Sequence, residues 1–167
     1  MNKKNGFTLV ELMVVIVIIG VLAAVAIPKM MAATNKAKAS EGPQMIGSIA
    51  NLEHAFNAEY GVFAKLEEGT GTDADAAWQA IGMVGVPSSK NFIFQVSGKD
   101  YKGANAIPHF PIDEDLALED FTAKATIRTR IGDAGGTEYV SVDYKDKKEA
   151  TEELIKLIGS YGAEPAK

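Results

Sequence analysis

An α+β fold is predicted for this chain: a long N-terminal α-helix packed on a small antiparallel β-sheet, with a short C-terminal helix. Three patterns predict it. Phe7 to Ile27 is an apolar run of helix length. Met45, Ile49, Leu52, Phe56 and Tyr60 recur at spacings of three and four, a helical stripe that faces a core. Phe121, Ala123, Ala125, Ile127, Thr129 and Ile131 alternate with polar residues, and Glu138 to Tyr144 supplies a returning strand.

The first element is the apolar run, FTLVELMVVIVIIGVLAAVAI. As a helix it is roughly 31 Å long at about 1.5 Å per residue, which matches the hydrocarbon core of a bilayer. It holds one charge, Glu11. A carboxylate inside a spanning helix costs at least about 2.5 kcal/mol on insertion scales, so such residues are usually paired and functional. A plain membrane anchor explains the length but gives Glu11 no purpose. A secretory signal explains Lys3, Lys4 and Ala24-Val25-Ala26, but its apolar core is shorter and rarely opens on a Glu.

Gly6-Phe7-Thr8-Leu9-Val10-Glu11 after a short basic leader resembles the class III leader of type IV pilins and of their relatives, the type II secretion pseudopilins and competence pilins. The likeness continues through Gly20 and Leu22 to Pro28. It implies that a prepilin peptidase cuts between Gly6 and Phe7 and methylates the new amine of Phe7. It also implies that Glu11 pairs with the Phe7 amine of a neighbouring subunit. The physics agrees: cleavage alone creates that cation, and breaking a buried ion pair costs roughly 3–5 kcal/mol, so wrong registers are disfavoured. The implied partners are further copies of the chain in a helical filament, the prepilin peptidase and methyltransferase, an inner-membrane assembly platform, and the cytoplasmic membrane before assembly. A cytoplasmic N-terminus rests on the resemblance, because Lys3 and Lys4 on one side are balanced by Lys29, Lys36 and Lys38 on the other.

Pro28 lacks an N–H and leaves the Ala24 carbonyl without a helical partner, so a kink or melted turn is expected between Gly20 and Pro28. Helix formers follow, Gly42-Pro43 interrupts, and the stripe from Met45 resumes. One long, interrupted helix from Phe7 to about Tyr60 is expected. The organisation reads as a leader at 1–6, a transmembrane or filament-core helix at 7–28, its continuation at 29–60, and a globular head at 61–167.

In the head, Asp73 to Gly82 reads as a short helix with Thr72 or Asp73 as N-cap and Gly82 as stop. Asn91 to Val96 is a strand candidate. Gly132 to Gly136 is the turn between the two alternating strands, and Lys147 to Ile158 a C-terminal helix, after which the tail frays. Three strands are thus expected to pack on the second half of the long helix. The calcium-loop sequence common in major pseudopilins and the C-terminal disulfide loop of many pilins both have no counterpart, so neither subclass is fixed by them. A cysteine-free head with a C-terminal helix suits a pilin-like filament subunit slightly better.

Composition narrows the chemistry. The formal charge is −5, and removing Lys3 and Lys4 takes the 17 basic residues to 15 against 22 acidic, a net −7. An acidic body of this kind is a poor binder of nucleic acid. There is no cysteine, which excludes disulfides, thiolate catalysis and Cys-based metal sites. The acidic loop from Asp113 to Asp120 has oxygen ligands for Ca²⁺ but lacks a recognised loop spacing, and a solvated loop is the expected reading. His54 and His109 have no second His or Cys nearby, so zinc is not expected. Ser88, Ser89, Ser97 and Ser141 lack a nucleophile elbow. Trp78 is expected in the core. No cofactor and no enzymatic activity are expected. The expected function is a filament subunit, held first as a single-pass precursor in the cytoplasmic membrane. Its rivals are the major pseudopilin of a type II secretion system and a monomeric, membrane-tethered binding domain.

Overall fold

Two prolines shape the first sixty residues of the computed structural model, which describes residues 6–68, 72–87, 89–103, 111, 114–159 and 161–166, with the backbone alone described at 72, 73 and 114. Helix α1 runs Leu9–Ala39 with Pro28 inside it, and α2 runs Glu41–Tyr60. The break falls at Ser40, upstream of the expected Gly42-Pro43. Pro43 has no N–H to give the carbonyl four residues back, Ala39, and the adjacent Gly42 is a weak helix former, a neighbour that Pro28, with Ile27 before it, lacks. Ser40 keeps helical angles (φ −72°, ψ −13°), so the break is one residue long. Gly20 and Pro28 both lie within uninterrupted helix, so the melted turn expected there is not present. Gly61 ends α2 in the left-handed region (φ 79°) and donates its N–H to Asn57 O at 2.8 Å.

The chain divides into two compact units, residues 1–35 and 36–167. The first is helical from Leu9 among its described residues, and its large apolar side chains are exposed from Leu9 through Met31. The second holds α2 and the sheets. It contains β1 (Phe63–Ala64), α3 (Thr72–Ala80), β2 (Phe92–Ser97), β3 (Ala117–Leu118), β4 (Thr122–Ile127), β5 (Tyr139–Asp143), β6 (Lys148–Ala150), α4 (Glu152–Ile158) and β7 (Glu164–Pro165).

The expected three strands form one side of a five-stranded sheet ordered β2-β4-β5-β6-β7, antiparallel except for the parallel β6–β7 pair. The register stacks Phe94, Ala125, Val140 and Ala150 in one row and Val96, Ala123 and Val142 in the next. All seven are buried. The small residues sit on β4 because α2 packs there, with Ile46, Ile49 and Phe56 buried in the same core. A second, two-stranded ribbon pairs β1 with β3, Phe63 opposite Leu118. Leu66 joins it to the first sheet by reciprocal backbone bonds with Val96 at 3.1 and 2.7 Å.

Two expectations about the C-terminal part are corrected. Lys148–Ala150 is a strand, not the start of a helix, because pairing with β5 overrides the helix propensity of that stretch. The helix starts after Thr151, whose φ of −69° and ψ of 150° make it the N-cap. The tail is not frayed at Glu164–Pro165, which pair with β6. The glycine turn is as expected: Ile131 and Ala134 exchange backbone bonds at 3.0 and 3.1 Å around Gly132 (φ 59°).

Gly98 marks a close backbone approach. A Cβ there would overlap the Asp120 carbonyl, and Asp120 is held in place by Lys99 N–H on its Oδ1 at 2.7 Å. Gly98→Ala is therefore expected to lower stability by about 1–3 kcal/mol, because the obstructing atoms are backbone and cannot rotate away. Chemical denaturation checks this, and an unchanged midpoint would show that the loop moves freely.

Candidate assembly site

Helix α1 begins with a reciprocal cap. Thr8 is the N-cap, and its N–H and its hydroxyl both donate to Glu11 Oε2, each at 2.8 Å. In return the Glu11 N–H donates to Thr8 Oγ1 at 3.2 Å. This is the Thr-x-x-Glu capping box, which satisfies orphan donors of the first turn. The negative carboxylate also suits the positive end of the helix dipole. Only one carboxylate oxygen is used. Oε1 takes no bond among the described residues and stays available to a cation from outside the chain.

Gly6 and Phe7 precede the helix, and both are exposed. Phe7 and Glu11 thus lie on either side of the first turn, with Thr8 tying the carboxylate down between them. Sequence reasoning singles out Phe7 and Glu11 but misses Thr8, although the Thr8-Leu9-Val10-Glu11 spacing is itself the signal of a capping box.

Beyond the cap, α1 offers an apolar surface on every side. Val15, the least exposed of its large apolar residues up to Met31, is still 47% exposed, and Leu9 is 75% exposed. A helix that is apolar all round needs a membrane or other helices around it. The Leu9–Tyr60 helical stretch is long and apolar enough to cross a membrane by length and composition.

Among the described residues the other candidate positions do not converge on chemistry. His54 Nε2 lies 3.6 Å from Asp146 Oδ1, and its ring packs against Phe63 and Phe121. Leader residues 1–5, Ser88, His109 and Asp113 lie outside the described residues. Of the acidic loop, Glu119 pairs with Lys99 Nζ, which holds its carboxyl below the usual range, and Asp120 accepts Lys99 N–H. No group of three His, Cys, Asp or Glu residues able to hold a metal occurs among the described residues. Ser89 is structural: its Oγ accepts the N–H groups of Asn91 and Phe92, both at 3.1 Å.

The family model described as the prokaryotic N-terminal methylation motif matches residues 1–27. The type II secretion system core protein G of Escherichia coli (strain K12) is 48% identical over 56 residues, 34% of this chain and 37% of that protein. The type IV major pilin protein PilA of Myxococcus xanthus (strain DK1622) is 41% identical over 59 residues, 35% of this chain and 27% of that one. The type IV wide pilus major component PilA4 of Thermus thermophilus is 31% identical over 102 residues, 60% of this chain and 72% of that protein. The chain therefore spans well under half of the first two relatives and more than two thirds of the third.

Proposed function

This chain belongs to the type IV pilin and type II secretion pseudopilin family, and on that premise we propose that it is the structural subunit of a type IV pilus-like extracytoplasmic filament. The observation that carries the reading is a helix apolar on every side that opens on a capped acid with one oxygen to spare. The precursor sits in the cytoplasmic membrane with its N-terminus inside. Cleavage after Gly6 frees the Phe7 amine, which is then N-methylated. The subunits polymerise through α1, with Glu11 Oε1 of one subunit receiving the Phe7 amine of its neighbour. Gly20 and Pro28, which lie in continuous helix in the single subunit, are the weak points at which α1 would bend on entering the filament. The subunit is structural and turns over no substrate.

The second reading, a major pseudopilin, has support in the identity to the secretion protein, which covers about a third of this chain. The likeness to a pilus component covers more of the chain and favours the pilus. Intact mass and N-terminal sequencing of the mature protein test the class. A chain starting at N-methyl-Phe7 is expected, and a start at Ile27 refutes it. Deleting the gene then separates the two readings, with loss of surface filaments expected and loss of protein export alone favouring the pseudopilin.

A further inference from the structure

One acid in the head has no role in assembly and no place in an ordinary core. Glu53 lies on the inner face of α2 between Ile49 and Phe56 and is 0% exposed. Its Oε2 accepts the Ala64 N–H at 2.9 Å, and its Oε1 is buried with no partner. We propose that Glu53 is a proton-operated latch: while neutral it holds the chain reversal after α2 and the β1–β3 ribbon onto the helix, and on ionising it releases them.

The surroundings make the charged form costly. β1 supplies Phe63 and Ala64 to this core, β2 supplies Phe92, Phe94 and Val96, β4 supplies Ala123, Ala125 and Ile127, and β5 supplies Val140 and Val142. Glu138, just before β5, has its Oε2 buried without a partner, and as an acid it cannot compensate a charge on Glu53. Other charged groups on and around these elements are engaged elsewhere. Lys124 stacks over the Tyr139 ring at 3.9 Å, on the other face of the sheet. Lys65 pairs with Glu67 at 2.8 Å, Asp143 accepts the Lys145 and Lys147 N–H groups, and Asp75 takes the Val86 N–H. On α2 itself, His54 turns to Asp146 and Glu41 to Asn91. Lys148 lies over the Tyr161 ring, and Tyr161 bonds to Pro43 O, toward the start of the helix. No cation among the described residues compensates a charge on Glu53, and burial without one drives a carboxyl toward its neutral form. Burial pushes the Glu53 carboxyl up from 4.5 to about 8, against the opposing pull of the Ala64 N–H.

The segment that Glu53 holds matters to the sheet. Immediately after Ala64, the Lys65 N–H reaches Leu116 O at 2.7 Å, and Leu66 pairs with Val96 on β2, the outermost strand on that side. Opening the latch loosens the cover on that strand.

Linkage sets the sign. The closed state keeps its proton up to about 8, while the open state loses it above about 4.5. Closure is therefore strongest below about 4.5 and weakens as pH rises, until the loss is complete above about 8. The test uses the full chain in detergent micelles. After correction for intrinsic exchange, the Ala64 amide is expected to open up to about tenfold more per pH unit between roughly pH 5 and 8. Glu53→Gln keeps the acceptor for Ala64 N–H without the ionisation, and its opening is expected to be independent of pH over that range. The same pH slope in both proteins would overturn the latch. Should Glu53→Gln not fold, carboxyl carbon NMR of the wild-type chain decides: a Glu53 midpoint raised to about 8 supports the proposal, and one near 4.5 overturns it.

Discussion

Replacing Glu11 by alanine is expected to leave cleavage between Gly6 and Phe7 intact and to abolish filament growth. Glu11 has two duties in the proposed assembly, and they differ in size. Its Oε2 caps α1 through Thr8, a contribution of about 1 kcal/mol. Its ionised state pairs with the Phe7 amine of a neighbour in a dry filament core, where breaking the pair costs roughly 3–5 kcal/mol. The ion pair outweighs the cap, so removing charge harms assembly more than removing the cap does. Glu11→Gln retains a capping side chain and lacks the charge, and it is expected to fail nearly as badly as Glu11→Ala. Thr8→Ala loses the cap and keeps the charge, and it is expected to assemble at reduced yield. Subunit mass reports processing, and the yield of sheared filaments reports assembly. Normal filaments from Glu11→Gln would eliminate the ion pair, and failure of Thr8→Ala alone would make the cap the decisive element.

The ease with which each part can be read from sequence tracks how local its cause is. The N-terminal helix is legible because length and apolarity along one segment already describe it. β4 and β5 are legible because six and five residues are enough to show alternation. β1 and β3 are two residues each, and Phe63 meets Leu118 far along the chain, so no local period can reveal them. The inner face of α2 lies slightly off the predicted stripe. The stripe through Met45 and Leu52 predicts a face on which those residues are only half-buried, while Ile46 and Glu53 are fully buried. A glutamate on a helix reads as a solvated residue, and only tertiary packing shows it inside. At the candidate site the residues are legible and their geometry is not: the Thr8 cap leaves a single carboxylate oxygen for a partner, a division of labour that only coordinates display.

Trp78→Ala is expected to destabilise the head by about 3–5 kcal/mol, a large share of the roughly 5–15 kcal/mol that holds a typical domain together. Trp78 is the only tryptophan of the chain and is 0% exposed. With Ala77 and Ile81 it makes the buried side of α3 and the turn after it, and neither of those two is large enough to anchor the helix alone. Its Nε1–H also donates to the Glu67 carbonyl at 3.2 Å, tying α3 to the chain that follows β1. The two contributions can be separated. Trp78→Phe keeps most of the apolar volume and loses the hydrogen bond, worth about 1 kcal/mol in net stability. If packing dominates, the phenylalanine variant recovers most of the midpoint in thermal unfolding followed by circular dichroism. The alanine variant is instead expected to show faster amide exchange across Thr72–Ala80, because α3 loses its largest buried side chain. A neutral Trp78→Ala would mean that the indole serves a surface role, contrary to its burial. Cleavage after Gly6 is expected to proceed in both variants, since Trp78 belongs to the unit at 36–167 and Gly6 and Phe7 do not. Any assembly defect in Trp78→Ala is then traceable to the head, and in Glu11→Ala to the helix.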